Sequence, residues 1–250
     1  RNWVCERAGL APLAQSLYFV GSIIGGVVFG LIADRSGRVP ALIGSCVVGC
    51  VGSVASAFTR GFLDFALCRF IVGFSYDSCF MLLYILVLEY TGPRHRSLVA
   101  NLSIALFFGA ACLALPWLAL WIADWRMLLV CTALPGLIVI AAPWFLPESA
   151  RWLLSRGRVN KAIDILHRFE KINKTKIPED ILEDFIASSR QTDNANEGIR
   201  DLVKSGPLRL AALYMTLMYM SLALVFDGLV RMSETLGLNF FITFTLASAT

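Results

Sequence analysis

Charge is what this sequence has least of. Only 16% of its 250 residues are Asp, Glu, Lys or Arg, against about 25% in soluble domains, while 57% are hydrophobic and the mean hydropathy is +0.69. So little charge cannot cover a soluble globule with polar surface, and the chain reads as a polytopic membrane protein. Histidine is scarce too. His95 and His167 stand alone, and with no HExxH or CxxC spacing and no Gly-rich phosphate loop, nothing points to an enzyme, a metal or a cofactor. No glycine period is present, which excludes collagen, and seven cysteines are too few for a disulfide-stapled secreted scaffold. Six of the seven lie inside apolar runs, where they read as small packing residues. No charged n-region with a cleavage site precedes the first apolar run, so no signal peptide is read. With no initiator Met and an apolar stretch, 237–250, at the far end, the chain is expected to be a fragment of something longer.

Runs of about 20 apolar residues, the length that crosses a bilayer, occur at 13–33, 40–58, 65–88, 98–122, 127–146 and 208–230, followed by the start of a seventh. The connections are short turns and one long polar stretch, 148–207. If that stretch is cytoplasmic, the alternation puts Arg35, Arg38, Arg94 and Arg96 inside against Arg60 and Arg126 outside, as the positive-inside rule expects. The net charge of +4 is therefore a topology signal, and no nucleic-acid partner is implied. Within the polar stretch, Val159, Ala162, Ile163, Leu166 and Phe169 recur at helical spacing. Ile181, Leu182, Phe185 and Ile186 repeat the pattern after Pro178, while 188–198 is polar throughout. The expected organisation is a five-span bundle over 1–146, a cytoplasmic helical linker over 147–206, and the beginning of a second bundle over 207–250.

The first turn runs from Gly30 through Asp34 and Arg35 to Gly37 and Arg38. Gly37 supplies backbone freedom for a tight reversal, and Asp34 can bridge to basic groups on neighbouring segments; on charge pattern alone, a solvated turn is an equal alternative. The string resembles the signature loop of the major facilitator superfamily, a Gly followed by Asp-Arg-x-Gly-Arg, with Val39 where that family often has another basic residue. Glu89, Gly92 and Arg96 are similar to the family's E-x-x-G-x-x-x-R. Glu148, Arg151, Trp152 and Gly157 lie in a string that resembles PESPRWLxxxG of the organic ion transporter branch, with Ala150 in place of the second Pro. Asp124-Trp125-Arg126, Leu134-Pro135-Gly136 and Trp3-Val4-Cys5 are also similar to that branch.

The resemblance runs from just before the family's second helix into its eighth. It implies an all-α major facilitator helical bundle in part, the N-terminal bundle less its first helix together with the start of the C-terminal bundle. It further implies that Asp34, Arg35, Gly37, Arg38, Glu89, Gly92, Arg96, Glu148 and Arg151 form a cytoplasmic gate that does not touch substrate, while two bundles rock around a midplane site. Cys5, on the outer side, is then expected to pair with a cysteine of the extracellular loop that the family carries before it.

Ionisable groups at membrane depth cost about 2.5–3.5 kcal/mol on translocon scales and mark function by default. Asp77 lies twelve residues from Glu89 and thirteen from Asp64, roughly 18–20 Å from either end of its span at 1.5 Å per residue. Phe80, Met81 and Tyr84 follow at i+3, i+4 and i+7, giving a carboxylate beside an aromatic wall, which suits an organic cation. The alternative is a structural pair with a Lys or Arg on a helix outside this chain. The resemblance matches Phe80 and Tyr84 to aromatic pocket positions, and it implies that cation-transporting relatives often carry Lys where Asp77 stands. Asp227 has Arg231 at i+4, so a surface ion pair competes with a binding role. Tyr219 and Phe226, i and i+7 on the same run, match pocket positions or else form a core or lipid-facing stripe. Arg69 can snorkel to the outer surface.

The function expected is alternating-access transport of a small organic ion, organic cations first, by a multi-pass protein of the lipid bilayer, with the plasma membrane the expected location. Organic anions, carnitine-type zwitterions, a sugar-porter-like cargo and a truncated product that transports nothing are the alternatives. The oligomeric state is not legible.

Overall fold

The computed structural model describes residues 9–92, 94–174, 176–178, 180, 182–183, 186–187, 206–235 and 245, with backbone alone for Ile104, Phe226, Asp227 and 229–235. Expectations for Cys5, Ile181, Phe185, 188–198 and 237–244, and for the side chains of Phe226 and Asp227, lie outside the described residues. Among the described residues there is no strand. The elements are α1 (Leu10–Ser36), α2 (Arg38–Phe58), α3 (Phe62–Tyr90), α4 (Arg96–Ser103), a π turn (Ile104–Phe108), α5 (Gly109–Ile122), α6 (Trp125–Ala133), a 3-10 segment (Leu134–Ala141), α7 (Ala142–Phe145), α8 (Ala150–Ser155), α9 (Val159–Asn173) and α10 (Gly206–Thr235).

Among the described residues, six helices are long and apolar enough to cross a membrane: Leu10–Ser36, Arg38–Phe58, Phe62–Tyr90, Arg96–Ile122, Trp125–Phe145 and Gly206–Val225. Each overlaps one of the six apolar runs, because a bilayer-length helix must satisfy every backbone group internally. The fifth departs from α geometry where Pro135 removes an N–H from the ladder, and it continues as 3-10. Ile138, Trp144 and Phe145 are among its exposed apolar side chains.

The chain divides into two compact units. One comprises Arg1–Leu102 and Ile122–Arg190, the other Ser103–Trp121 and Gln191–Thr250. In the first, α3 packs against α1 and α2, and α2 packs against α6. Glycine sets the closest of these approaches. A Cβ on Gly21 or Gly25 of α1 would overlap the carbonyls of Phe70 or Phe74, and one on Gly73 of α3 would overlap that of Tyr18. Small residues four apart therefore bring two backbones into contact, which in lipid replaces the missing hydrophobic drive with packing. Against α6, α2 uses polar atoms instead: Cys50 Sγ donates to the Ala133 carbonyl (3.2 Å) and Ser53 Oγ to that of Leu129 (3.4 Å). In the second unit, α5 carries a buried Pro116 within its helix, and the described side chains of α10 are almost all exposed.

The helix expected from Val159 forms as α9 and folds onto α8 over a small core of Trp152, Leu153, Leu154 and Ala162. Lys174, at φ +52°, ends α9 in the left-handed conformation. The Glu170 carboxylate lies 2.6 Å from His167 Nδ1 and accepts the Ile177 N–H at 2.6 Å. The hydrogen bond from His167, then that from Ile177, hold its carboxyl below the usual carboxylate range.

Candidate functional site

The three strings singled out in the sequence meet at one end of the helices. Gly37 joins α1 to α2 at φ +113°, a backbone conformation that L side chains rarely adopt. The turn leaves the first N–H groups of α2 and the last carbonyls of α1 without partners in their own helices. The segment after α7 supplies both. Glu148 Oε1 accepts from the Arg38 N–H (2.9 Å) and the Ser149 N–H (3.0 Å), and Oε2 from the Val39 N–H (3.2 Å). A carboxylate is thus docked on the positive end of the α2 dipole, so close to Gly37 that a Cβ there would overlap it.

At the other helix end, the Asp34 carbonyl accepts from Trp152 Nε1 (2.8 Å) and Arg156 Nε (3.1 Å), with Arg156 Nη2 also donating. A cation and an indole N–H sit on the negative end of α1, while the Gly37 N–H closes the Ala33 carbonyl at 3.2 Å. Trp152 is positioned by local chemistry. Ser149 caps α8 by accepting the Trp152 N–H (3.2 Å), and Arg158 lies over the indole at 5.6 Å. From α3, the Tyr90 hydroxyl donates to the Pro147 carbonyl, and its ring packs on Phe169 at 5.5 Å.

The side-chain charges are fewer than the motifs suggest. Arg38 Nη1 pairs with Asp34 Oδ1 at 2.7 Å, and Arg38 Nε faces Glu89 Oε1 at 3.7 Å, with the side chains of Arg38 and Glu89 only 18% and 14% exposed. Arg38 Nε and Glu89 Oε2 are buried without a hydrogen-bond partner among the described residues. Asp34, Gly37, Arg38, Glu89 and Glu148 therefore come together. Arg35, Gly92, Arg96 and Arg151 are exposed around them, and the three arginines make no ion pair among the described residues. Trp152 and Arg156 were missed as contributors. Their target is a backbone carbonyl, which no residue pattern displays, although an indole N–H at a span end does need an acceptor.

Asp77 stands midway along α3, exposed, on the seam with α1. The Ser22 hydroxyl donates to Asp77 Oδ2 across that seam. Arg69, two turns before Asp77 on α3, lies over the Phe65 ring at 5.1 Å. Beyond Asp77, the rings of Phe80 and Tyr84 stack with centroids 6.4 Å apart and planes 16° from parallel. Phe80 is 45% exposed and Tyr84 half-buried. In the other unit, Tyr219 is 75% exposed on α10. Among the described residues no group of three or more His, Cys, Asp or Glu is placed to hold a metal.

Bilayer-length helices tied at one end by charge and helix-end contacts define a multi-pass membrane protein of the major facilitator class. The family model for sugar (and other) transporters matches residues 8–228, and the chain belongs to that family. It is 30% identical over 99% of its length to the organic cation transporter protein of Drosophila melanogaster, and 32% identical over 91% to the human organic cation/carnitine transporter 2. It spans 46% and 41% of those relatives, less than half of each. Its fold matches the proton:xylose symporter XylE bound to 6-bromo-6-deoxy-D-glucose (TM-score 0.71, 21% identity, 96% of this chain and 56% of that one). It also matches the inward-open xylose transporter from E. coli (TM-score 0.63, 17% identity, 97% and 70%).

Proposed function

We propose that this chain carries half of the machinery of an organic ion transporter, with organic cations the favoured substrates, working by alternating access at the plasma membrane. Asp77 acts as the counter-ion and Phe80 and Tyr84 as a π-wall beside it; Tyr219, Phe226 and Asp227 contribute from the second bundle. In this reading 1–146 is the N-terminal bundle, 147–206 a cytoplasmic linker and 207–250 the beginning of the C-terminal bundle. The observation that carries it is an exposed carboxylate at the middle of a membrane helix, beside two stacked aromatic rings. A cation leaving water for such a site exchanges hydration for one full charge and for cation-π contacts of about 0.5–2 kcal/mol each. The names of the relatives at about 30% identity support the same substrate class.

The gate follows from the helix-end junction. Asp34, Arg35, Gly37, Arg38, Glu89, Gly92, Arg96, Glu148 and Arg151 act on the inward–outward balance without touching substrate. Within the set, the Arg38–Glu89 pair is incompletely satisfied: its atoms are 3.7 Å apart, and among the described residues Arg38 Nε and Glu89 Oε2 have no hydrogen-bond partner. If uptake is uniport, the membrane potential drives it by about 2.3 kcal/mol per charge per 100 mV.

Potential-clamped vesicle uptake of labelled tetraethylammonium by the full-length gene product tests the reading. Accumulation with the inside negative, and about tenfold or greater loss of affinity in Asp77→Asn, is the expected result. Indifference to the cation, or a wild-type Asp77→Asn, returns Asp77 to a structural role. A carnitine-type zwitterion is the second reading, because a relative at 32% identity is named as an organic cation/carnitine transporter. Uptake of labelled carnitine in the same vesicles distinguishes the two.

A further inference from the structure

We infer that Ser22 is a positioning residue that biases which class of organic cation Asp77 accepts: by donating to Oδ2 it orients the carboxylate and takes one of that oxygen's two lone pairs, favouring diffuse quaternary ammonium ions over guanidinium ions, whose fork needs both oxygens. The inference rests on the reading of Asp77 as the substrate counter-ion and goes beyond it.

The argument begins with glycine. Gly21 and Gly25 on α1 meet the Phe70 and Phe74 carbonyls of α3, and Gly73 meets the Tyr18 carbonyl, so the two backbones touch over one full turn on each side of Ser22. At that separation a residue as short as serine reaches across the seam, and its hydroxyl donates to Asp77 Oδ2. Phe74 and Gly73 lie three and four residues before Asp77 on the same face of α3, so the backbone contact that fixes the helices also fixes the carboxylate. The Phe29 ring, 5.4 Å from that of Phe74, continues the packing one turn further.

An ionised carboxylate offers two oxygens, and a guanidinium engages both through parallel N–H bonds. With Oδ2 accepting from Ser22, that fork must share the oxygen with the hydroxyl, and its second N–H bond is the weaker for it. A quaternary ammonium has no N–H and needs only charge and a π-face, which Asp77 Oδ1 and the Phe80–Tyr84 stack provide. Serine thus acts on selectivity by competing for an acceptor that the other ligand requires.

The test measures KM and maximal rate for labelled tetraethylammonium and labelled methylguanidinium in proteoliposomes of the full-length gene product. Ser22→Ala is expected to raise KM for tetraethylammonium and lower it for methylguanidinium. The ratio of the two then moves by about three- to tenfold, the factor one hydrogen bond to a charged acceptor commands, with maximal rates little changed. Ser22→Thr, which keeps the hydroxyl, restores the wild-type ratio. Ser22→Cys, close in size but a weak donor, moves it in the same direction as alanine. A structural defect would worsen both substrates together, so equal changes in the two KM values, or none in any folded variant, overturn the inference. Asp77→Asn separates the two levels. If it weakens both cations while Ser22→Ala leaves the ratio fixed, Asp77 stands and Ser22 falls; if Asp77→Asn is wild type for both, the counter-ion reading itself fails.

Discussion

The helix-end junction and the α1–α3 seam both place a carboxylate against backbone that glycine has opened, yet they finish differently. At the junction Glu148 accepts three backbone N–H groups and the Asp34 carbonyl takes an indole and a guanidinium, so both helix ends are closed by side chains from one distant segment. At the seam Asp77 has a single hydroxyl partner and an exposed face. A polar group closed on every side holds structure, whereas one left open at membrane depth has capacity for a ligand.

The comparison breaks most severely if the seam cannot form. Gly25→Leu should cost roughly 3 kcal/mol, because its Cβ would overlap the Phe74 backbone rather than a movable side chain; thermal unfolding in detergent measures the loss. Glu148→Ala strips the N–H groups of Arg38 and Val39 of their acceptor and should cost about 1–2 kcal/mol, with Glu148→Gln in between since it keeps an oxygen but not the charge. Trp152→Phe keeps the packed ring and loses the bond to the Asp34 carbonyl, an expected cost of about 1 kcal/mol.

The smallest effect concerns Glu170. Its carboxyl is held below its usual range, so the contribution it makes to the loop after α9 is present above the ordinary carboxylate pKa and is lost as pH falls through the folded value. The protection factor of the Ile177 amide, corrected for the intrinsic pH dependence of exchange, should fall on acidification in the wild type, and Glu170→Gln should blunt that dependence.

The spans, the three gate strings and α9 were legible because each is written in side chains: apolar runs of bilayer length, charges at run ends, a helical repeat from Val159. What was not legible depends on backbone atoms and on the approach of helices distant in sequence. Arg151 and Arg156 are five residues apart and alike in type, and only the fold decides that Arg156 reaches the Asp34 carbonyl while Arg151 is exposed. Ser22 is one serine in an apolar run until Gly21, Gly25 and Gly73 bring it to Asp77.

The central claim is that Asp77 binds and Asp34 gates, and one pair of variants in one assay tests it: Asp77→Asn and Asp34→Asn in potential-clamped uptake of tetraethylammonium by the full-length gene product. The account predicts that Asp77→Asn raises KM about tenfold or more, while Asp34→Asn leaves substrate preference intact and changes the transport rate and the inward–outward balance. A silent Asp77→Asn, or an Asp34→Asn that changes substrate preference at unaltered rate, would contradict it.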